Sequence, residues 1–78
     1  MSKILIIDDE RDLVALLAKK LRTNGHEVFT AYDGRAGAEL ARRELPDLIL
    51  LDIMMPEMDG FDVCRAIRDE VLCPILFL

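Results

Sequence analysis

The chain is 78 residues long with a formal net charge of −5, so it holds one small domain and carries no basic stripe for nucleic-acid phosphates. A domain of this size buries roughly 60–65% of its unfolded surface and is only marginally stable. The composition is globular, no apolar run approaches the length of a membrane span, and no secretory signal precedes Cys64 and Cys73. A soluble cytoplasmic protein with reduced thiols is therefore expected, without membrane or direct nucleic-acid partners; a disulfide or shared metal between the two cysteines is the less favoured alternative.

The first element is the apolar run Lys3-Ile4-Leu5-Ile6-Ile7, closed by Asp8 and Asp9. A short apolar run bounded by charge reads as a buried parallel strand. A helix is expected from about Arg11 to Thr23, with Leu13, Leu16, Leu17 and Leu21, together with Val14, on its inner face. Asn24-Gly25 supplies its stop. His26 to Ala31 is a short, partly alternating strand, with His26 a surface residue at its start, and Tyr32-Asp33-Gly34 is a turn. Arg35 to Glu44 is a second helix with a thin apolar face (Ala36, Leu40, Ala41), ended by Pro46; Arg42 and Arg43 read as its solvated side.

Asp47 to Asp52 is the third strand, and its run Leu48-Ile49-Leu50-Leu51 ends on Asp52. Ile53 to Gly60 is a loop built around the turn formers Pro56, Asp59 and Gly60, with Met54, Met55 and Met58 as filler. A third helix runs from Phe61 to Val71, with Phe61, Val63, Cys64, Ile67 and Val71 inward. Pro74 restarts the chain, and Ile75 to Leu78 is a fourth strand. The order β-α-β-α-β-α-β calls for an α/β fold, an open parallel sheet with right-handed crossovers and helices on both faces.

In such a sheet, ligands bind beyond the carboxyl ends of the strands. Asp8, Asp9 and Asp52 all sit at strand ends, so neighbouring strands would bring them to one patch. Clustered carboxylates disfavour one another's ionisation unless a cation lies between them, and hard oxygen ligands suit magnesium. The plain alternatives are a water-exposed strand-end cap for Asp52 and a solvated acidic turn ahead of a helix for Asp8-Asp9. The second does not account for the third acid.

Other phosphate-handling folds match less well. No glycine precedes Gly25, so the first loop is neither a P-loop nor a dinucleotide turn. Aspartate-nucleophile phosphatases carry Asp-x-Asp after their first strand, which Asp8-Asp9-Glu10 is not.

Taken together, Ile4-Leu5-Ile6-Ile7-Asp8-Asp9-Glu10, Asp47 to Pro56 and Asp59-Gly60 resemble the receiver domain of bacterial two-component response regulators. The resemblance covers residues 1–78 and implies a flavodoxin-like sheet, (βα)3β here, in the order 2-1-3-4-5. It implies that Asp52 accepts a phosphoryl group from a sensor histidine kinase. Asp8, Asp9, Asp52 and the backbone carbonyl of Met54 would hold Mg2+, with Asp9 as direct ligand and Asp8 acting through water, while Pro56 and Gly60 shape the loop. Such a module is a phosphoryl acceptor, not a turnover enzyme, and commonly controls an attached DNA-binding transcriptional domain; the resemblance also implies kinase docking along the first helix.

The family carries a Ser or Thr after its fourth strand and a Lys ending its fifth. Among these 78 residues the only threonines are Thr23 and Thr30, and the lysines are Lys3, Lys19 and Lys20, none placed for either role. The expectation is a receiver domain without its last helix-strand-helix portion. The competing expectation is a half-fold that works as a self-associating module, pairing through the edge of the fourth strand.

Overall fold

The computed structural model describes residues 2–78. Seven elements alternate along the chain: β1 (Lys3–Ile7), α1 (Arg11–Thr23), β2 (Glu27–Ala31), α2 (Gly34–Glu44), β3 (Leu48–Leu51), α3 (Gly60–Ile67) and β4 (Ile75–Phe77). The four strands form one parallel sheet in the order β2-β1-β3-β4. The expected α/β architecture and strand order are both present.

Residues of a strand face opposite sides in alternation, and β1 divides the core accordingly. Ile4 and Ile6 pack with Val14, Ala18, Val28 and Leu50 beneath α1. Leu5 and Ile7 join Ile49, Leu51, Val63 and Ile67 beneath α2 and α3. Both faces of the central strands are thereby covered, which is why their sequences read as continuous apolar runs.

The helices deviate from expectation in instructive ways. On α1 the inward stripe is the buried Val14 and Ala18 flanked by the half-buried Leu17 and Leu21, whereas Leu16 is 67% exposed. At 3.6 residues per turn, Leu16 lies about 200° around the helix from Val14, opposite the stripe. On α3, Phe61 is displaced from the stripe of Val63 and Ile67 by a similar argument; it is 49% exposed and meets Phe77 in a tilted ring pair with a centroid distance of 5.5 Å.

The third helix also ends at Ile67 rather than Val71. The Arg42 guanidinium donates to the Ala66 carbonyl (3.0 Å) and pairs with Glu70 at 3.4 Å. The Glu70 amide, which would continue the helix through that carbonyl, donates to Ile67 instead (3.0 Å). Arg42 thus caps a helix that packs beside its own, and Val71 is buried by a turn.

The thin apolar face of α2 consists of Gly34, Gly37, Ala38 and Ala41, with Ala36 and Leu40 flanking. Small residues let this helix lie close on the sheet. A Cβ added at Gly37 would stand 2.6 Å from Cδ1 and 2.8 Å from Cγ1 and Cγ2 of the fully buried Ile7. Gly37→Ala is therefore expected to destabilise the fold by about 1–3 kcal/mol through overpacking. Thermal denaturation should show Tm lower by about 4 °C or more; an unchanged Tm would mean that α2 is free to move off the sheet.

Candidate functional site

Strand register creates the site. Ile7 pairs with Leu51 across β1 and β3, and with Ala31 across β1 and β2. The ladder runs one step beyond the strands: the Asp52 amide donates to the Ile7 carbonyl (2.9 Å) and the Asp8 amide to the Ala31 carbonyl (3.1 Å). Asp8 and Asp52 are thus the residues after two paired strand ends. A slip of one residue would turn the acids to the wrong face.

The three predicted acids meet. One carboxylate oxygen from each of Asp8, Asp9 and Asp52 lies within 4.8 Å of the others. Their exposure is graded: Asp8 is buried, Asp52 half-buried and Asp9 exposed. Each inner carboxylate is oriented by a backbone donor. The Glu10 amide donates to Asp8 Oδ1 (2.9 Å) and the Met54 amide to Asp52 Oδ1 (3.1 Å). Free oxygens remain on all three side chains for a ligand.

Burial of Asp8 pushes its carboxyl above the ordinary carboxylate range, and the Glu10 amide opposes that push. The negative charges of Asp52, Asp9 and Glu10 raise it further. Positive charge placed among these carboxylates would favour the ionised form of Asp8.

The donor set suits a hard divalent cation. Magnesium binds oxygen at about 2.1 Å, so opposite ligands of one ion lie about 4.2 Å apart. Slight rotation of one carboxylate, or a bridging water, closes the difference from 4.8 Å.

The loop after β3 is held at its base. The Gly60 amide donates to the Ile53 carbonyl (2.9 Å), and a Cβ at Gly60 would stand 2.7 Å from the Asp52 carbonyl oxygen. Backbone cannot yield as a side chain can, so glycine is required there. Immediately before it, Asp59 and Asp62 form a reciprocal capping box, each side chain accepting the other's amide (2.9 and 3.1 Å), which starts α3 where the loop ends. Within the loop Met54 is 82% exposed, Pro56 is exposed and Met55 is buried.

These features coincide with a known family. A description of the response regulator receiver domain matches residues 4–78. The chain belongs to that family. It is 47% identical over 77 residues to the alkaline phosphatase synthesis transcriptional regulatory protein PhoP of Bacillus subtilis (strain 168). That match takes in 97% of this chain and 32% of the relative, so the chain spans about a third of the relative's length. Among solved structures, the chemotaxis protein CheY4 of Vibrio cholerae superposes with a TM-score of 0.92 at 35% identity, covering 99% of this chain and 67% of that one. The N-terminal domain of a response regulator receiver protein from Methanoculleus marisnigri JR1 gives 0.87 at 34% identity, covering 99% and 65%.

Two features of this receiver domain escaped sequence reasoning. The capping box was legible as Asp59-x-x-Asp62 at a helix start. The contact of Gly34 with Met58 was not, because nothing local signals an approach between residues so far apart in sequence. His26, expected at the surface, is half-buried with its Nδ1 enclosed and unpartnered among the described residues.

The raised Asp8 carboxyl has a consequence for stability with a definite sign. Its folded-state pKa lies above the ordinary 3.8, so between those two values the folded protein binds more protons than the unfolded chain. Metal-free stability should therefore fall as pH rises through that window and stay reduced at neutral pH. Asp8→Asn keeps the oxygen that accepts from Glu10 and removes the charge. We expect it to raise Tm at neutral pH, where the parent carries the buried charge, and to flatten the acid-side slope. Melting curves from pH 3 to 7 for both proteins check this; a less stable Asp8→Asn would contradict the assignment.

Proposed function

We propose that this receiver domain accepts a phosphoryl group on Asp52 from the phosphohistidine of a sensor histidine kinase, and that it is an acceptor rather than a turnover catalyst. The observation that carries this reading is the meeting of three carboxylate groups at one pole of the sheet. Asp8, Asp9 and Asp52, with the Met54 carbonyl, are the groups proposed to hold Mg2+. When bound, the ion supplies positive charge to the transferring phosphoryl oxygens and offsets the carboxylates' repulsion.

The chain's own residues do the rest. One Asp52 oxygen attacks phosphorus in line, the bond from phosphorus to the histidine nitrogen breaks, and the nitrogen keeps the electron pair. The product is an acyl phosphate on Asp52. The Met54 amide holds Oδ1 of Asp52, leaving the other oxygen free to attack. Such transfer demands little beyond positioning and charge neutralisation, and the register of β1 on β3 provides the positioning.

In the cell we assign the module to the cytoplasm, and none of its helices is long and apolar enough to cross a membrane among the described residues. The relative from Bacillus subtilis is a transcriptional regulatory protein, which supports an attached DNA-binding output under control of Asp52. The alternative reading is a self-associating module that pairs through the edge of β4.

A single experiment separates the two. Incubated with Mg2+ and acetyl phosphate, the protein should gain one phosphoryl adduct by intact mass spectrometry. The adduct should be absent from Asp52→Asn and at least about 100-fold slower to form without divalent metal. An adduct that persists in Asp52→Asn, or none in the parent, removes the acceptor reading and leaves the association module.

A further inference from the structure

We infer that Gly34, at the start of α2, is a positioning residue for the metal site, acting through Met58 on the loop that carries Met54. The inference rests on the proposed Mg2+ site, and its observations lie outside that site.

The loop from Ile53 to Asp59 is fastened at its base by the Gly60 amide on Ile53. Its far end meets the β2–α2 turn. A Cβ built on Gly34 would stand 2.6 Å from the Met58 carbonyl oxygen and 2.9 Å from Met58 Cβ and Cγ. The first of those atoms is backbone, so an added methyl must displace the loop itself. Gly34 is buried, and Asp33 beside it fixes the turn by accepting the Ala36 amide (2.8 Å). The α2 side of the contact is therefore rigid.

The loop side is under tension. Glu57 has φ of 67°, a left-handed conformation that costs a non-glycine residue about 1–2 kcal/mol. The turn is closed by the Met58 amide on the Pro56 carbonyl (2.7 Å). Such strain persists only where surrounding structure over-determines it. Two constraints do so here: Met58 seated on Gly34, and Met55 and Met58 held against the core beneath α2 and α3. A small cleft lined by Asp33, Gly34, Arg35, Pro56, Glu57 and Met58 marks the junction.

The consequence reaches the site through a short path. Met58 lies four residues from Met54, whose amide holds Asp52 Oδ1 and whose carbonyl is the proposed fourth ligand. With the base fixed at Gly60, a push at Met58 is absorbed between Met54 and Glu57. Groups that orient metal ligands are worth about 10–100-fold in affinity.

The test compares parent, Gly34→Ala, Met58→Ala and the control Gly37→Ala, which meets Ile7 and not the loop. Backbone amide shifts of residues 54–60 are recorded by NMR in metal-free protein, and Mg2+ affinity by calorimetry. Gly34→Ala should move the amides of Met54 and Met58 and weaken Mg2+ about tenfold. Gly37→Ala should lower Tm and leave both readouts alone. Met58→Ala, which creates no clash, should speed amide exchange in the loop and weaken Mg2+ in the same direction, keeping the test open should Gly34→Ala not fold. Unmoved loop amides in metal-free Gly34→Ala, or unchanged exchange in Met58→Ala, overturn the inference. A parent that takes up no Mg2+ while Gly34→Ala moves the amides overturns the metal reading beneath it and the site role with it, leaving only a loop contact.

Discussion

The structure depends on the register of β1 against β3. Pairing Ile7 with Leu51 sets Asp8 and Asp52 side by side one step past the ladder, and the Asp52 amide on the Ile7 carbonyl continues the pairing to the acid itself. Nothing in a parallel sheet makes repelling carboxylates favourable. Their proximity is imposed by apolar burial on both faces of these strands, where Ile6, Ile7, Ile49 and Leu51 are wholly enclosed. The hydrophobic core thus holds together charges that would separate in a freely moving chain. Asp8 registers the cost as a carboxyl displaced upward by burial.

Much of this was readable in the residues, and the reason is periodicity. Runs as apolar as Ile4–Ile7 and Leu48–Leu51 have few alternatives to a doubly covered strand, so their ends, and the acids at those ends, could be located. Helix faces were less legible. A leucine count put Leu16 inward on α1, yet angular position decides burial and Ala18 takes the inner place. On α2 the contact face is made of glycine and alanine, which apolar patterning undervalues because their contribution is closeness rather than area. The early end of α3 depends on Arg42 from a neighbouring helix, a tertiary partner that no local signal announces.

Two glycines shape the pole, and a third seats a helix away from it. Gly60 lets the loop base lie against the Asp52 carbonyl, and Gly34 meets the loop tip at Met58, whereas Gly37 lets α2 settle on the Ile7 side chain. The first two are close approaches to the loop that follows Asp52, and each would be blocked by one methyl group. The site's precision therefore comes from backbone packing around it as much as from the carboxylates. The loop is held in a strained turn at Glu57, consistent with a segment whose position matters more than its local comfort.

Linkage between metal and stability tests the central claim most directly. If the carboxylate cluster is a cation site, Mg2+ binds the folded state alone and must stabilise it by mass action. The account expects Tm at pH 7 to rise progressively with Mg2+, by about 2.7 kcal/mol of stability at a hundredfold excess over the dissociation constant. It expects the gain to disappear at pH 3 and in Asp9→Asn. A Tm indifferent to Mg2+ at neutral pH, or a gain that survives loss of Asp9, would contradict it.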